Sequence, residues 1–146
     1  MSDATLDTSI WIPYLRSGRY ASTVDTLLAN GQVYLPSIVL LELYAGTTSV
    51  GHKRALDTIA SAAQALGRLF HPSAEDLCLA GQILAYYAQR HGHVRPRDHS
   101  HDLLIAMGAG RTGSVLLTEN LGDMRRWADA LRRRARLRVR VVRLTA

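Results

Sequence analysis

Cysteine, lysine and phenylalanine are almost missing: one of each occurs in 146 residues. The single cysteine, Cys78, excludes an internal disulfide. It lies in DLCLAGQIL, an apolar helical pattern, where it is expected as a small buried hydrophobe and not a reactive thiol. Long apolar runs are missing too, and none approaches the ~20 residues that span a bilayer, so a membrane partner is excluded. The opening MSDATLDTSI has no basic stretch leading into an apolar one, so no secretory leader is expected. These absences together suggest a cytoplasmic protein. Repeats, low-complexity tracts and linkers are also missing. The length suits one compact domain, residues 1–146, with a core large enough to need no staple.

Acid is scarce: twelve Asp and Glu stand against eighteen Lys and Arg, giving a net charge of +6 and a pI near 10.1. All the basic residues but Lys53 are arginines, whose planar fork suits phosphate and carboxylate. The balance points to a polyanionic partner or an acidic protein. A genomic codon bias would produce the same arginine excess without removing its physical consequence.

Short apolar runs alternate with longer helical patterns. Residues 4–7, 32–35, 114–118 and 137–142 read as strands, with a short one possible at 68–70. Helices are expected over 9–15, with Pro13 early enough to be tolerated, and over 22–30, stopped by Gly31. Others are expected over 37–44 with Ser37 as N-cap, and over 52–66, 73–89, 101–110 and 122–133. Strands separated by helices require crossover connections and hence a parallel sheet. The fold class is therefore α/β, a three-layer sandwich.

With so few acids, their positions carry information. Asp7 ends the first strand, Glu42 lies one turn into the helix after the second, and Asp123 follows the strand SVLLT. Open parallel sheets bind ligands at the C-terminal strand ends. Asp102, opening the helix DLLIAMGA, can join them, with the helix dipole expected to favour its charge. Each sits among leucines or other apolar residues, where an unpaired carboxylate is costly. Gathered together, four carboxylates repel one another, and a divalent cation resolves the conflict. The same acids also fit four unrelated surface or helix-capping positions, and spacing does not decide between the two.

The segments LDTSIWIPYLRSG, LPSIVLLELYAG, HDLLIAMGAG and VLLTENLGDM, taken in order, resemble the successive motifs of PIN-domain proteins, and most nearly the VapC-type toxins of bacterial toxin–antitoxin pairs. The resemblance runs over essentially the whole chain. It implies a five-stranded parallel sheet between helices and Mg²⁺- or Mn²⁺-dependent endonucleolytic cleavage of RNA, with water as the nucleophile. It places Asp7, Glu42, Asp102 and Asp123 as the four metal-binding and catalytic acids. Thr118 becomes a hydroxyl near the metal, and Ser9 a polar neighbour. It also implies a cognate antitoxin that blocks the site; the apolar stretches Ile10–Leu15 and Leu40–Tyr44 are candidates for the groove that receives it. A homodimer is expected on general grounds of symmetry. Met124 and Gly108 depart from the family's usual phenylalanine and alanine without touching the acids.

Other features have competing readings. Asp98, four residues before Asp102, suits a turn or helix start better than a fifth ligand. His91, His93, His99 and His101 have H-x-H spacings that zinc sites use, but no cysteine partner; they suit an RNA groove or solvent better. Arg132, Arg133 and Arg134 head an arginine-rich tail that is either a solvated face or a phosphate-binding surface. Trp11 and Trp127 suit core or dimer packing better than base stacking. Three rival functions stand beside the toxin. A haloacid-dehalogenase-like phosphatase needs a second aspartate where Ser9 stands and is rejected. A housekeeping RNA-processing nuclease and a non-catalytic RNA-binding module remain.

Overall fold

A computed structural model describes residues 2–92 and 95–145, the side chains of Pro96 and Arg97 excepted. Five strands, β1 (Ala4–Leu6), β2 (Val33–Pro36), β3 (Leu69–Phe70), β4 (Val115–Thr118) and β5 (Arg140–Arg143), form one sheet in the order β3-β2-β1-β4-β5. Every pairing is parallel; Ala4 stands opposite Val33 on one side and Val115 on the other. Seven helices make the crossovers: α1 (Thr8–Ser17), α2 (Ala21–Ala29), α3 (Ser37–Ala45), α4 (Val50–Ala65), α5 (Ala74–His91), α6 (Pro96–Thr112) and α7 (Leu121–Ala135). All three residues of β1 are buried, so helices cover the central strand on both faces. The expected three-layer α/β sandwich, with its five parallel strands, is the observed one.

Chain order reverses across the sheet at β1. The chain moves outward through β2 and β3, then returns to lay β4 and β5 on the other side. The crevice at such a reversal is where open α/β sheets bind ligands. Here it opens between the ends of β1 and β4, where the Asp7 amide donates to the Leu117 carbonyl at 2.9 Å.

Helix α6 is the core's central member. Leu103 to Met107 and Ala109 are buried without a gap, and Gly108 lies against the Phe70 ring. The helix starts earlier than the apolar pattern suggests, because Pro96 at its first turn launches a polar segment, RDHSH, that has no apolar face to read. Asp102 is therefore its seventh residue, nearly two turns in, and the expected help from the helix dipole is withdrawn, since that effect fades beyond the first turn. Asp98 lies in the first turn and is exposed, as a helix-start acid.

Three local expectations are corrected. Ser37 is the first helical residue of α3, not its cap; Pro36 occupies the cap and no side chain bonds there. Cys78 is exposed, because α5 buries Asp76, Ala80, Ile83 and Leu84 and turns the intervening positions outward. The last strand begins at Arg140, not at 137: Leu137 and Val139 pack onto α6 before the backbone joins Val115. Trp11 and Trp127 are fully buried, as core packing requires.

A Cβ added at Gly110 would lie 2.6 Å from Leu137 Cγ and 3.0 Å from Val139 Cγ2. Gly110→Ala gains up to ~1 kcal/mol of helix propensity but overpacks this contact at a cost of ~1–3 kcal/mol. The expected net result is a lower melting temperature. An unchanged or higher midpoint would show that the tail yields freely.

Candidate active site at the sheet reversal

Asp7 leaves β1 and enters α1 in extended conformation, φ −65° and ψ 156°. Its carboxylate does not cap the helix it precedes. Instead Oδ2 accepts hydroxyl bonds from Ser9 at 2.9 Å and from Thr118 at 2.8 Å. Ser9 Oγ in turn accepts the Glu119 amide at 3.0 Å, and Thr118 Oγ1 accepts the Asn120 amide at 2.9 Å. The β4–α7 turn is thus clamped to the β1–α1 turn through one carboxylate oxygen. Asp7 is only 4% exposed, and among the described residues Oδ1 receives no donor.

The other acids arrive on separate helices. Glu42 comes from α3, where Oε1 accepts the Thr8 hydroxyl at 3.2 Å and lies 3.5 Å from Nδ1 of His101. Asp123 comes from the first turn of α7, its Oδ2 accepting Asn120 Nδ2 at 2.8 Å. Asp102 comes from α6, half-buried. Burial pushes its carboxyl up to about 6, and the negative charges of Asp7, Asp123 and Glu42 push in the same direction. His101 opposes them weakly. Asp7, Glu42 and Asp123 therefore all lie within electrostatic reach of Asp102, although the four are far apart in sequence.

This grouping is not a closed cage. Among the described residues no three His, Cys, Asp or Glu side chains converge tightly enough to form a ready-made metal site. Like charges with no counterion keep their distance. A hard, oxygen-seeking cation that keeps several waters needs only one or two carboxylates directly, so the donor set suits Mg²⁺ or Mn²⁺. The undonated Oδ1 of buried Asp7 and the strained ionisation of Asp102 both fit such an ion.

The histidines separate. His91 stacks on Tyr87 with ring centres 4.3 Å apart, His99 lies 5.5 Å from Trp127, and His101 faces Glu42. His93 lies outside the described residues. The disfavoured zinc reading gains no support among the described residues. Arg132 and Arg133 both bond Asp129, at 2.7 and 3.0 Å, nearly three turns along α7 from Asp123. Two neighbours of the acids were missed in sequence, Thr8 and Asn120, whose only signal is that they are small polar residues close to Asp7 and Thr118. His101, assigned from sequence to an RNA groove or to solvent, faces Glu42.

A second acidic network borders the site. Glu119 accepts a hydrogen bond from the Tyr20 hydroxyl and lies 3.5 Å from Arg19. It ties the start of α2 to the β4–α7 turn. Tyr20 enters α2 with φ 66°, a left-handed conformation rare for a bulky side chain, so that bond holds a strained turn.

Comparison with known proteins follows the same lines. The sequence matches the PIN domain family over residues 4–130. No curated protein is similar enough to match. Among solved structures, VapBC2 from Rickettsia felis, bound to a DNA fragment from their promoter, superposes with a TM-score of 0.58 at 22% identity. That alignment covers 95% of this chain and 98% of the other. DNA-bound VapBC from Salmonella typhimurium gives 0.60 at 23% identity, covering 97% and 98%. FitAcB from Neisseria gonorrhoeae gives 0.60 at 24% identity, covering 94% and 96%. At these identities the likeness is one of fold. The family match is of a different kind, because it spans all four acids and both turns that Asp7 clamps together: the chain belongs to the PIN domain family.

Proposed function

We propose that this chain is a divalent-metal-dependent endoribonuclease, a single PIN domain acting as the toxin of a toxin–antitoxin pair. The observation that carries the nuclease reading is Asp102, held near pH 6 by burial and by carboxylates from three other elements. Structural ion pairs lower carboxylate pKa values; burial first, and then the neighbouring carboxylates, raise this one, and a bound cation would favour its ionised form.

Asp7, Glu42, Asp102 and Asp123 would hold Mg²⁺ or Mn²⁺. Such an ion supplies activation of water and neutralisation of phosphoryl charge. The chain's own residues prepare for it. Ser9 and Thr118 fix the Asp7 carboxylate in one orientation from both sides of the crevice. Thr8 and His101 do the same for Glu42, and Asn120 for Asp123. Asp102 must shed its proton before it can serve as a ligand.

The toxin reading rests on the motif resemblance and on the VapBC and FitAcB structures whose fold the chain shares. Part of the proposed antitoxin groove is available. Ile12 and Leu41 are exposed, and Ile12, Leu15 and Leu43 line a shallow pocket that reaches Glu42. Ile10 and Trp11 belong to the core and drop out of that groove. A partner helix seated there would bring a basic side chain within reach of the acids. No described helix is long and apolar enough to cross a membrane, and the proposed site of action is cytoplasmic. A symmetric homodimer completes the proposal.

Two assays test it. Purified chain incubated with labelled RNA and Mg²⁺ should give discrete products; no cleavage with either Mg²⁺ or Mn²⁺ would leave the non-catalytic RNA-binding module. Expression of the chain alone should slow growth, and co-expression with the adjacent upstream gene should restore it and yield a complex. Normal growth with no complex would favour the housekeeping nuclease.

A further inference from the structure

Between α5 and α7 lies a cleft of about 440 Å³. Tyr86, Tyr87 and Arg90 wall one side; Arg126, Arg133 and Arg134 wall the other. Helical register builds it: Tyr86 and Arg90 are four apart on α5, and Arg126 and Arg133 are two turns apart on α7. The Arg134 guanidinium carbon lies 3.4 Å from the centre of the Tyr86 ring, and that of Arg90 lies 4.7 Å from the same ring. Arg126 stands 5.6 Å from the Tyr87 ring. A ring face holds a guanidinium in place without using up its N–H donors. Among the described residues neither Arg90 nor Arg134 pairs with a carboxylate. The one acid in the cleft, Asp129, is engaged by Arg132 and Arg133.

The cleft adjoins the acidic site through Arg126. Arg126 lines it and also places Nη1 3.9 Å from Oδ1 of Asp123. Positive charge therefore begins where the carboxylates end and continues for a little over two turns of α7. Guanidinium groups pre-set on aromatic faces are what a single nucleic-acid strand uses: phosphates take the N–H donors, and bases stack on the outer guanidinium planes that the rings hold in place. A flat duplex cannot present its bases to them.

We propose that this cleft binds single-stranded RNA a few nucleotides from the bond cleaved at the carboxylates, an inference that rests on the nuclease reading above. It divides the arginine tail. Arg133 and Arg134 face the cleft, whereas Arg132 lines a separate surface with Arg138 and Arg140.

The test uses the full chain, a fluorescein-labelled single-stranded RNA of mixed sequence, and an RNA too short to reach the cleft. Arg90→Gln with Arg134→Gln should raise KM for the long RNA about tenfold and leave kcat unchanged. The log–log salt slope of binding, measured by anisotropy in excess chelator, should fall by up to about 1.4. Cleavage of the short RNA should not change. Tyr86→Leu, which alters no charge, should also raise KM for the long RNA. The charge-matched control, Arg54→Gln with Arg138→Gln, should do none of this. Equal losses in both double variants, or an unchanged KM in the cleft variant, would overturn the proposal. So would tighter binding of labelled polyglutamate than of RNA, because the cleft would then belong to an acidic protein partner. If the wild type cleaves nothing yet cleft-dependent RNA binding persists, the nuclease reading fails while the cleft assignment stands.

Discussion

Asp102→Asn and Asp7→Asn should each lower RNA cleavage by on the order of a thousandfold, while shifting stability in opposite directions. Both remove a charge that the proposed metal would need. Their structural settings differ. The Asp102 carboxyl is raised from 3.8 to about 6 in the folded protein. A group raised on folding stabilises the protein fully while it is protonated in both states, below about pH 4. That contribution is lost as pH rises through about 6. Above that point the ionised carboxylate is a net cost in the metal-free protein. About two pK units correspond to ~3 kcal/mol, reduced to ~1–2 kcal/mol because the side chain is only half-buried. Asparagine keeps the shape and discards the charge. Metal-free Asp102→Asn should therefore melt higher at pH 7 and lose less stability between pH 4 and 6.

Asp7→Asn should instead melt lower. Both the Ser9 and Thr118 hydroxyls donate to Oδ2 of Asp7. The amide oxygen of asparagine can stand in the Oδ2 position and accept both hydroxyls, but both bonds lose their charge assistance, at a cost of ~1 kcal/mol or more. Gel cleavage assays and thermal melts without metal check both variants. Retained cleavage in either would sink the site assignment, and melts shifting in the same direction would sink the account of how Asp102 and Asp7 differ.

Removing the metal should have an effect of the same size. Excess chelator is expected to abolish cleavage, Mg²⁺ or Mn²⁺ to restore it, and zinc alone to fail, because the donors are carboxylate and hydroxyl oxygens. Metal affinity should also fall as pH drops below about 6, where Asp102 holds its proton, by up to roughly tenfold per pH unit. Calorimetric titration of Mn²⁺ at pH 5 and pH 7 measures this. Activity persisting in chelator would rule out the metal reading. An affinity flat across that range would remove Asp102 from the ligand set.

Much of this site was legible beforehand, and the limits of that reading have physical causes. Asp7 and Asp123 stand beside apolar strand ends, a local pattern that survives in sequence. Asp102 was found as an acid but misplaced in its helix, because the six residues before Leu103 are polar and show no period. Asp76 gave the opposite problem. It is buried like Asp7, at 6% exposure, yet its carboxylate closes a capping box with Ser73 and bonds Arg111 at 3.0 Å. Burial alone would have promoted it; its partner, thirty-five residues away, makes it structural.

The sequence by itself determined the alternation of strands and helices, the parallel sheet that follows from it, and that Asp7 and Asp123 stand close after strand ends. Those properties depend on periodicity, on glycine and proline stops, and on neighbours within a few residues, all of which act locally. Only the tertiary structure decided that the four acids share one field, that Asp7 clamps two turns from opposite sides of the crevice, and that Cys78 faces outward. It alone set Arg134 of α7 over Tyr86 of α5. Each of these depends on the sheet's reversal at β1 and on which faces α5, α6 and α7 turn toward one another. Residues far apart in the chain fix those faces together, through packing and charge, and no single segment contains the information.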